Sequence, residues 1–203
     1  MNNYQERILD YAVTAFEQRG VKAVTMDDIA HHLQISKRTL YQTYANKEAL
    51  LLACVQRQHA VMHERVTQLI DEGKNVVEIL LSECHIRLKA THDVSHSFLR
   101  ELRHYPRVMA YLGQHERDNT DTVVAFLQRG VAQGLFLPGL NFRLIFSMMQ
   151  RHMEFVAHSD DYSDVPLRDS FLNFVMVYFR GCATEKGIAL IDDFLKRESE
   201  NDQ

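Results

Sequence analysis

The sequence predicts an all-α protein, and three observations lead to this fold class. The chain has 203 residues, and its apolar side chains recur three and four positions apart, which is the spacing of one helix face. The prolines are Pro106, Pro138 and Pro166, so nothing before residue 106 must break a helix for want of an amide proton. No segment alternates as a strand does, and no Asn-Gly pair marks a hairpin.

The composition is that of an ordinary folded protein. Hydrophobic residues make up 46% and charged residues 25%, which excludes a disordered chain, and the net charge of −4 excludes a uniformly basic protein. Cys54, Cys84 and Cys182 lie far apart, so they imply neither a disulfide framework nor a zinc finger. The sequence begins without an apolar leader, and no apolar run reaches the roughly 18 residues of a membrane span. We therefore expect a cytoplasmic protein with no membrane partner.

The first two helices are predicted from one apolar stripe and one cap. The first covers residues 4–19, with apolar side chains from Ile8 to Phe16 on one face and Gly20 at its end. Thr25 is a good N-cap for the second helix, and Asp28 three positions later resembles the partner of a capping box. Two helices are therefore expected near the N-terminus.

The later helices are placed by caps and by glycines. Ser36 caps a short third helix, and Asn46 caps a long fourth helix that ends at Gly73. Glycines are expected to mark helix ends or breaks at positions 20, 73, 113, 130, 134, 139, 181 and 187. The remaining helices are predicted at about 76–91, through Phe98 and Leu102, and at about 107–131, 142–157 and 167–183, with a frayed tail from Glu198.

The segment from Thr25 to Lys47 carries the chemistry. Two short helices are separated by the turn of residues 34–36, which is helix-turn-helix spacing and projects the second helix into a DNA major groove. Ala30 is small at the place where these helices must cross closely. The second helix then exposes cations, hydroxyls and an amide, which bind phosphates and base edges: Lys37, Arg38, Thr39, Tyr41, Gln42 and Thr43.

With its flanks, this segment resembles the TetR family of bacterial transcriptional repressors. Two positions depart from the family pattern: Gln34 replaces the usual glycine of the turn, and Tyr44 replaces the commoner phenylalanine. A non-glycine residue at position 34 is expected to take a left-handed backbone. The resemblance covers residues 8–53 and includes Ala15 to Gly20, Thr25, Ile29-Ala30, Ile35-Ser36, Thr39-Leu40-Tyr41 and Lys47-Glu48-Ala49-Leu50.

The resemblance implies two domains with different functions and a set of DNA contacts. It implies a helix-turn-helix DNA-binding domain over residues 1–48 and a helical ligand-binding and dimerisation domain over residues 49–203. Gln42 is the best candidate for a base-edge contact, because an amide can bond adenine bidentately. The resemblance assigns phosphates to Thr25, Tyr41 and Lys47, and bases or neighbouring phosphates to Lys37, Arg38, Thr39, Gln42 and Thr43.

The charge distribution agrees with DNA binding near the N-terminus. Residues 1–60 hold seven basic and six acidic side chains, a net charge of +1, whereas the rest holds 16 basic and 21 acidic, a net charge of −5. This asymmetry places DNA affinity at the N-terminal end. Because the excess is small, nonspecific binding is expected to be modest and sensitive to salt.

The last two apolar helices are the predicted pairing surface. One helix-turn-helix contacts few base pairs, so such proteins pair on double-stranded operators with two half-sites. In the resembled family, two C-terminal helices from each subunit form a four-helix interface in a homodimer. The alternative is that the same stripes fill the core of one subunit. The candidate interface residues are Phe142, Phe146, Met153, Phe171, Phe174 and Tyr178.

The middle helices would enclose a ligand in such a protein. A mostly apolar pocket with a few polar anchors suits a small hydrophobic inducer, whose identity the sequence does not give. The alternative is that these residues belong to an ordinary core. The candidate lining residues are Cys84, Phe98, Leu102, His115, Asn119, Val123, Met149 and His152.

Metal and enzyme hypotheses remain as alternatives. His59 with His63, and His92 with His96, are incomplete zinc sets, so no metal and no cofactor are expected. A catalytic site built on Cys84, His85 or His115 would lack a phosphate-binding loop and a nucleophile motif, so no catalytic residue is expected. We expect a ligand-responsive repressor. An activator, a regulator without a ligand, and an interaction protein that no longer binds DNA stay open.

Overall fold

The computed structural model describes residues 3–91, 96–159, 162 and 165–200, and its long elements are helices. This confirms the all-α prediction. The helices are α1 (Asn3–Arg19), α2 (Met26–His32), α3 (Lys37–Thr43), α4 (Lys47–Asp71), α5 (Val76–Thr91), α6 (His96–Leu102), α7 (Pro106–Ala132), α8 (Phe142–His158), α9 (Leu167–Phe174), continued by a π-helical turn (Val175–Arg180), and α10 (Glu185–Glu200).

The chain divides into two compact units. The N-terminal unit comprises Met1–Met62 and Asp93–His115, and the C-terminal unit comprises His63–His92 and Glu116–Gln203. The long helices α4 and α7 therefore contribute residues to both units, and α6 belongs wholly to the first. The sequence-based boundary after residue 48 separates functions rather than packed units, and it stays a prediction.

The core of the N-terminal unit holds the first three helices in place. Ala30 is buried where α2 meets its neighbours, as its small size predicts. Phe98 of α6 and Val108 of α7 are buried in the same cluster, so these helices are part of the DNA-binding framework. The largest buried side chains of this core include Ile8, Phe16, Val21, Val24, Ile29, Leu40, Leu50 and Leu51.

Side-chain caps begin the helices at the predicted positions. At α2, the Asp28 amide donates to Thr25 Oγ1 over 3.1 Å, and the Thr25 amide donates to the Asp28 carboxylate over 2.9 Å. At α3, the Thr39 amide donates to Ser36 Oγ over 3.0 Å. At α4, the Ala49 amide donates to Asn46 Oδ1 over 2.9 Å. These bonds satisfy amides that have no partner inside the helix.

The C-terminal unit has a second apolar core, built mainly from α5, α8, α9 and α10. The segment after α7 runs antiparallel to the segment before α10: the Leu137 amide donates to Cys182 O over 2.9 Å, and the Thr184 amide donates to Leu135 O over 3.0 Å. The predicted connector after α7 is thus hydrogen-bonded to the segment that leads into α10. Core residues include Val76, Leu81, Cys84, Leu135, Phe136, Phe142, Phe171, Phe174, Ile191 and Phe194.

Three glycines that were expected to mark helix ends lie inside helices: Gly113 and Gly130 in α7, and Gly187 in α10. A Cβ on Gly130 would stand 2.5 Å from the Phe136 ring. A Cβ on Gly187 would stand 2.3 Å from Leu135 O. Gly130 and Gly187 exclude a side chain because another part of the chain approaches closely. A helix end was therefore the wrong interpretation for all three glycines.

The end of the chain also differs from the prediction. The frayed tail is wrong, because α10 runs to Glu200 and Glu198 is only 8% exposed. The Glu198 carboxylate lies 2.6 Å from Nδ1 of His85 on α5, which fixes the last turn of α10. The helix predicted over 167–183 is a shorter α9 followed by the π-helical turn, whose wider winding rotates the side chains that follow.

Candidate nucleic-acid interface

The turn between α2 and α3 depends on an unusual backbone at Gln34. Its φ is 54°, and within the described residues no other non-glycine residue has a positive φ. This confirms the left-handed conformation predicted for the position. The Ile35 amide donates to Ala30 O over 3.0 Å, which closes the turn. Since a left-handed backbone costs a side-chain-bearing residue roughly 1–2 kcal/mol, the turn is formed against local strain.

The outer face of α3 presents three side chains of different chemistry. Leu40 is fully buried and anchors the helix, while Arg38, Tyr41 and Gln42 are exposed on the other side. Tyr41 is 47% exposed although it is aromatic. In the part of the chain that the structure describes, none of these three makes a side-chain hydrogen bond or ion pair. A guanidinium, a phenol and an amide are thus available for phosphates and base edges.

The two threonines of α3 are less available. The Thr39 hydroxyl lies 2.6 Å from the Ser36 hydroxyl, beside the N-cap bond. The Thr43 hydroxyl donates to Thr39 O over 3.0 Å, one turn earlier in the same helix. Both side chains are half-buried. They hold the ends of α3, and a role at DNA requires the hydroxyls to exchange these partners.

Lys37 is exposed but paired. Its ammonium lies 2.5 Å from the carboxylate of Asp27 on α2, and the two side chains are 67% and 53% exposed. The hydrogen bond to Asp27 raises the pKa of Lys37, so the amine is fully charged at neutral pH. A DNA phosphate must compete with Asp27 for this cation. The pair also joins the two helices across the strained turn.

Thr25, predicted to bind a phosphate, uses its hydroxyl inside the capping box. It donates to the Asp28 carboxylate over 2.7 Å and accepts from the Asp28 amide over 3.1 Å. The hydrogen bonds from the Thr25 amide and hydroxyl lower the pKa of Asp28, which keeps the carboxylate ionised. The geometry gives Thr25 a structural role as the start of α2.

Lys47 likewise serves the framework. Its ammonium donates to Val21 O over 2.8 Å and to Val24 O over 2.9 Å, in the turn between α1 and α2. Burial lowers the pKa of Lys47, opposed by the carboxylates of Glu101 and Asp28. Two of its three N–H groups are thus taken by the turn, so its predicted phosphate contact has one left.

Two glutamates that sequence reasoning missed complete this framework. Glu101 of α6 accepts the Lys22 amide over 2.6 Å, on the turn that Lys47 also holds. Glu48 of α4 accepts the Arg107 amide over 2.9 Å at the start of α7. Glu48 was part of the matched motif, but nothing in the sequence places it against a residue 59 positions away.

The predicted ligand residues are divided between the two units. Phe98 and Leu102 pack in the core of the N-terminal unit, with α1 and α4. His115 is also in that unit, where its ring stacks on His59 at 4.1 Å between centroids. Cys84, Asn119, Val123, Met149 and His152 belong to the C-terminal unit.

Within the C-terminal unit, these residues differ in surroundings. Cys84 is buried in the core, and Met149 is a half-buried residue packed against it. The His152 side chain is exposed, with its ring 5.8 Å from that of Tyr178. An open groove of about 590 Å³ lies along the end of α4 and includes none of the predicted residues. Its lining residues are His63, Glu64, Thr67, Gln68, Asp71 and Glu72.

The predicted interface residues differ in burial, and their role at an interface stays a prediction. Phe142, Phe171 and Phe174 are buried in the core of the C-terminal unit. Phe146, Met153 and Tyr178 are half-buried. The apolar side chains that α8 and the π-helical turn expose, named here the exposed stripe, are Leu144, Met148, Phe155, Met176 and Val177.

The residues of the enzyme alternative lie in different surroundings. Burial raises the pKa of the Cys84 thiol to about 12, which removes the thiolate needed for nucleophilic chemistry. His85 faces Glu198, whereas His115 belongs to the N-terminal unit. No group of three or more His, Cys, Asp or Glu within the described ranges is placed to hold a metal. His92, and with it the pair His92–His96, lies outside those ranges.

Among the residues whose structure is described, no helix combines the length and the apolar character that crossing a bilayer requires.

Comparison with known proteins identifies the N-terminal segment. The family model for bacterial regulatory proteins of the tetR family matches residues 8–54, which contain α2, α3 and the start of α4. The transcriptional repressor KstR2 of Mycobacterium tuberculosis is 22% identical over 160 residues, covering 74% of this chain and 78% of the relative. Residues 8–54 therefore match the DNA-binding segment of the TetR family, and the chain is similar to TetR-family repressors over most of its length. TetR-family proteins are DNA-binding transcriptional regulators rather than enzymes.

The likeness extends beyond the TetR-family DNA-binding segment. A TetR-family regulator from Agrobacterium tumefaciens superposes with a TM-score of 0.69 at 16% identity, covering 89% of this chain and 97% of that structure. The fatty acid degradation regulator FadR from Bacillus halodurans superposes with a TM-score of 0.64 at 17% identity, covering 88% and 96%. These similarities establish the fold of a TetR-family regulator over nearly the whole chain.

Proposed function

We propose that this TetR-family protein is a homodimeric repressor in the cytoplasm that holds a palindromic operator and leaves it when a small, mostly apolar ligand binds. The observation that carries the proposal is the outer face of α3. Arg38, Tyr41 and Gln42 are exposed there on a helix whose inner side is anchored by buried Leu40. A fixed helix with free polar groups suits a major groove, where their bonds discriminate between bases.

The exposed stripe supports the homodimer. Val177 is 63% exposed and Phe155 is 56% exposed, although both are apolar. On α8 the members lie four and then seven positions apart, at Leu144, Met148 and Phe155, so they share one helix face. Exposed apolar side chains that share one helix face mark an interaction surface. A second copy of the chain would cover it and bring two recognition helices to one duplex.

The proposed ligand class rests on relatives and on the C-terminal core. The similar solved structures include a ketosteroid regulator from Mycobacterium tuberculosis and the fatty acid degradation regulator from Bacillus halodurans. The C-terminal unit of this chain is likewise built on aromatic and aliphatic side chains, with half-buried Met149 and Met153 at its margin. Methionine adapts to irregular apolar shapes. A steroid-like or acyl ligand fits this chemistry.

Selection from a random-sequence DNA library tests the proposal. The purified protein should enrich one palindromic sequence, and that sequence placed before a reporter gene should lower expression when the protein is present. Enrichment of nothing above background would contradict the proposal. A reporter that rises instead of falling would identify an activator and contradict repression. Adding steroid and fatty acyl compounds to the bound complex then tests for release of the DNA.

A further inference from the structure

The corner between α6 and α7, residues 100–107, is unusually basic. It contains three arginines, one histidine and a single acidic residue, Glu101. The side chains of Arg103, His104 and Arg107 are exposed. In the described part of the chain, neither Arg103 nor Arg107 has an ion-pair partner. Exposed arginines without ion-pair partners among the described residues, such as Arg103 and Arg107, are a potential binding site for a polyanion.

Glu101, the acidic residue of the corner, contacts the turn between α1 and α2. The Glu101 carboxylate accepts the Lys22 amide over 2.6 Å, in the turn between α1 and α2. It also helps to keep Lys47 protonated, since its charge opposes the lowering of the pKa of Lys47 by burial. Glu101 therefore contacts the turn between α1 and α2, and within the described ranges it forms no ion pair with Arg103 or Arg107.

Hydrogen bonds fix the corner beside the proposed DNA surface. Glu101 ties it to the turn that carries exposed Lys22. Glu48, in the first turn of α4, ties it to the start of α7 through the Arg107 amide, over 2.9 Å. Lys47 and Glu48 are consecutive, so the corner is held next to the helix start that the family resemblance places against DNA phosphates.

The charge of the whole N-terminal unit rises when the corner is included. Residues 1–60 alone carry a net charge of +1. The N-terminal unit, which adds residues 61–62 and 93–115, holds ten basic and eight acidic side chains, a net charge of +2. The C-terminal unit holds 13 basic and 19 acidic, a net charge of −6. The corner thus adds to the positive end of the chain, where attraction to DNA is greatest.

We propose that the α6–α7 corner is a second DNA contact, in which Arg103 and Arg107, together with Lys22, bind backbone phosphates of the duplex that flanks each half-site. The proposal rests on the proposed function, because it needs α3 in the major groove. Contacts to phosphates carry no base preference, so the corner adds affinity and salt dependence but not sequence choice.

The test is a double variant, Arg103→Ala with Arg107→Ala, measured by fluorescence anisotropy. The probes are the selected operator at minimal length and the same operator extended by about one helical turn, roughly 10 base pairs, on each side. On the long probe we expect roughly fivefold weaker binding per lost phosphate contact at about 0.15 M salt, and a salt slope smaller by about 0.9 per contact. On the minimal probe the loss should be small.

Matched controls separate the corner from overall charge and from folding. The Arg129→Ala, Lys186→Ala variant removes the same charge from exposed positions of the C-terminal unit and should bind both probes like the wild type. The Arg103→Lys, Arg107→Lys variant keeps the charge and should keep the affinity and the slope. If the alanine variant does not fold, an Arg103→Gln, Arg107→Gln variant compared with the lysine variant gives the same contrast.

Each outcome decides one question. A wild type that prefers no sequence contradicts the proposed function itself. A wild type that binds its operator, with a corner variant that binds the long probe equally well, overturns only the second contact. Equal loss in the Arg129→Ala, Lys186→Ala variant, or equal loss on both probe lengths, also overturns it. In those cases the loss of DNA affinity comes from the change in overall charge or from contacts inside the half-site.

Discussion

Gln34 has a strained, left-handed backbone that the surrounding structure accommodates. Its left-handed backbone is imposed by the tight turn between α2 and α3, which must close over the buried Ala30. The ion pair between Lys37 and Asp27 spans the same turn from outside. The position was identifiable from the sequence because the resembled TetR family most often has glycine there, the residue that a positive φ favours.

Replacing Gln34 with glycine should stabilise the protein. Glycine removes strain of roughly 1–2 kcal/mol but adds flexibility to the unfolded chain, so we expect a net gain of about 0.5–1 kcal/mol in the free energy of unfolding. Urea titration measures it. The control is Gln18→Gly, at an exposed position of α1, which should lose about 1 kcal/mol. Destabilisation by both changes would contradict the strain at Gln34.

At the level of elements, the start of α4 organises the N-terminal unit. Lys47 holds the turn between α1 and α2, and Glu48 holds the start of α7. The family resemblance assigned Lys47 to a DNA phosphate, and its position at the start of a helix, which attracts anions, agreed with that role. Its carbonyl partners lie 23 and 26 positions earlier, and no local pattern points to them.

Lys47→Ala should therefore weaken the fold as well as DNA binding. Removing the ammonium leaves two carbonyl groups without their donor, and we expect a loss of about 1–3 kcal/mol in the free energy of unfolding. Arg38→Ala, on the outer face of α3, should change it by less than about 0.5 kcal/mol while still reducing DNA affinity. If Lys47→Ala unfolds at the wild-type urea concentration, the lysine is free for phosphate instead.

Local patterns predicted the elements well where caps and stripes lie close in sequence. Thr25 with Asp28, Ser36 and Asn46 cap their helices as expected, because each bond spans three positions. Helix α10 was missed because Gly187 looks like a helix end, and only the approach of Leu135 O explains a glycine there. The bond from Lys22 to Glu101 spans 79 positions and could not be read from spacing.

At the scale of the whole molecule, the proposed dimer depends on which apolar face is left open. The sequence identified α8 and α9 as apolar but could not tell the inner face from the outer one. The structure buries Phe142, Phe171 and Phe174 and exposes Met148 and Val177 instead. Helical spacing alone could not make this distinction, because both faces of α8 carry apolar residues.

Val177→Glu should dissociate the dimer. A charge in the centre of an apolar interface is expected to cost at least about 2 kcal/mol, or roughly thirtyfold in the dimer dissociation constant. Sedimentation velocity over a concentration series measures it. The control is Leu137→Glu, an exposed apolar position outside the stripe, which should remain dimeric like the wild type. A Val177→Glu protein with wild-type association would show that the stripe is not the interface.

The most direct test of the central claim is anisotropy of the full-length protein against the selected palindrome, one isolated half-site and a scrambled duplex, at about 0.15 M salt. We predict saturable binding to the palindrome, weaker binding to the half-site, and the weakest to scrambled DNA. Gln42→Ala should lose about 1–3 kcal/mol of the preference for the palindrome, whereas Gln18→Ala should lose none. Equal affinity for the palindrome and the scrambled duplex would contradict a sequence-reading α3.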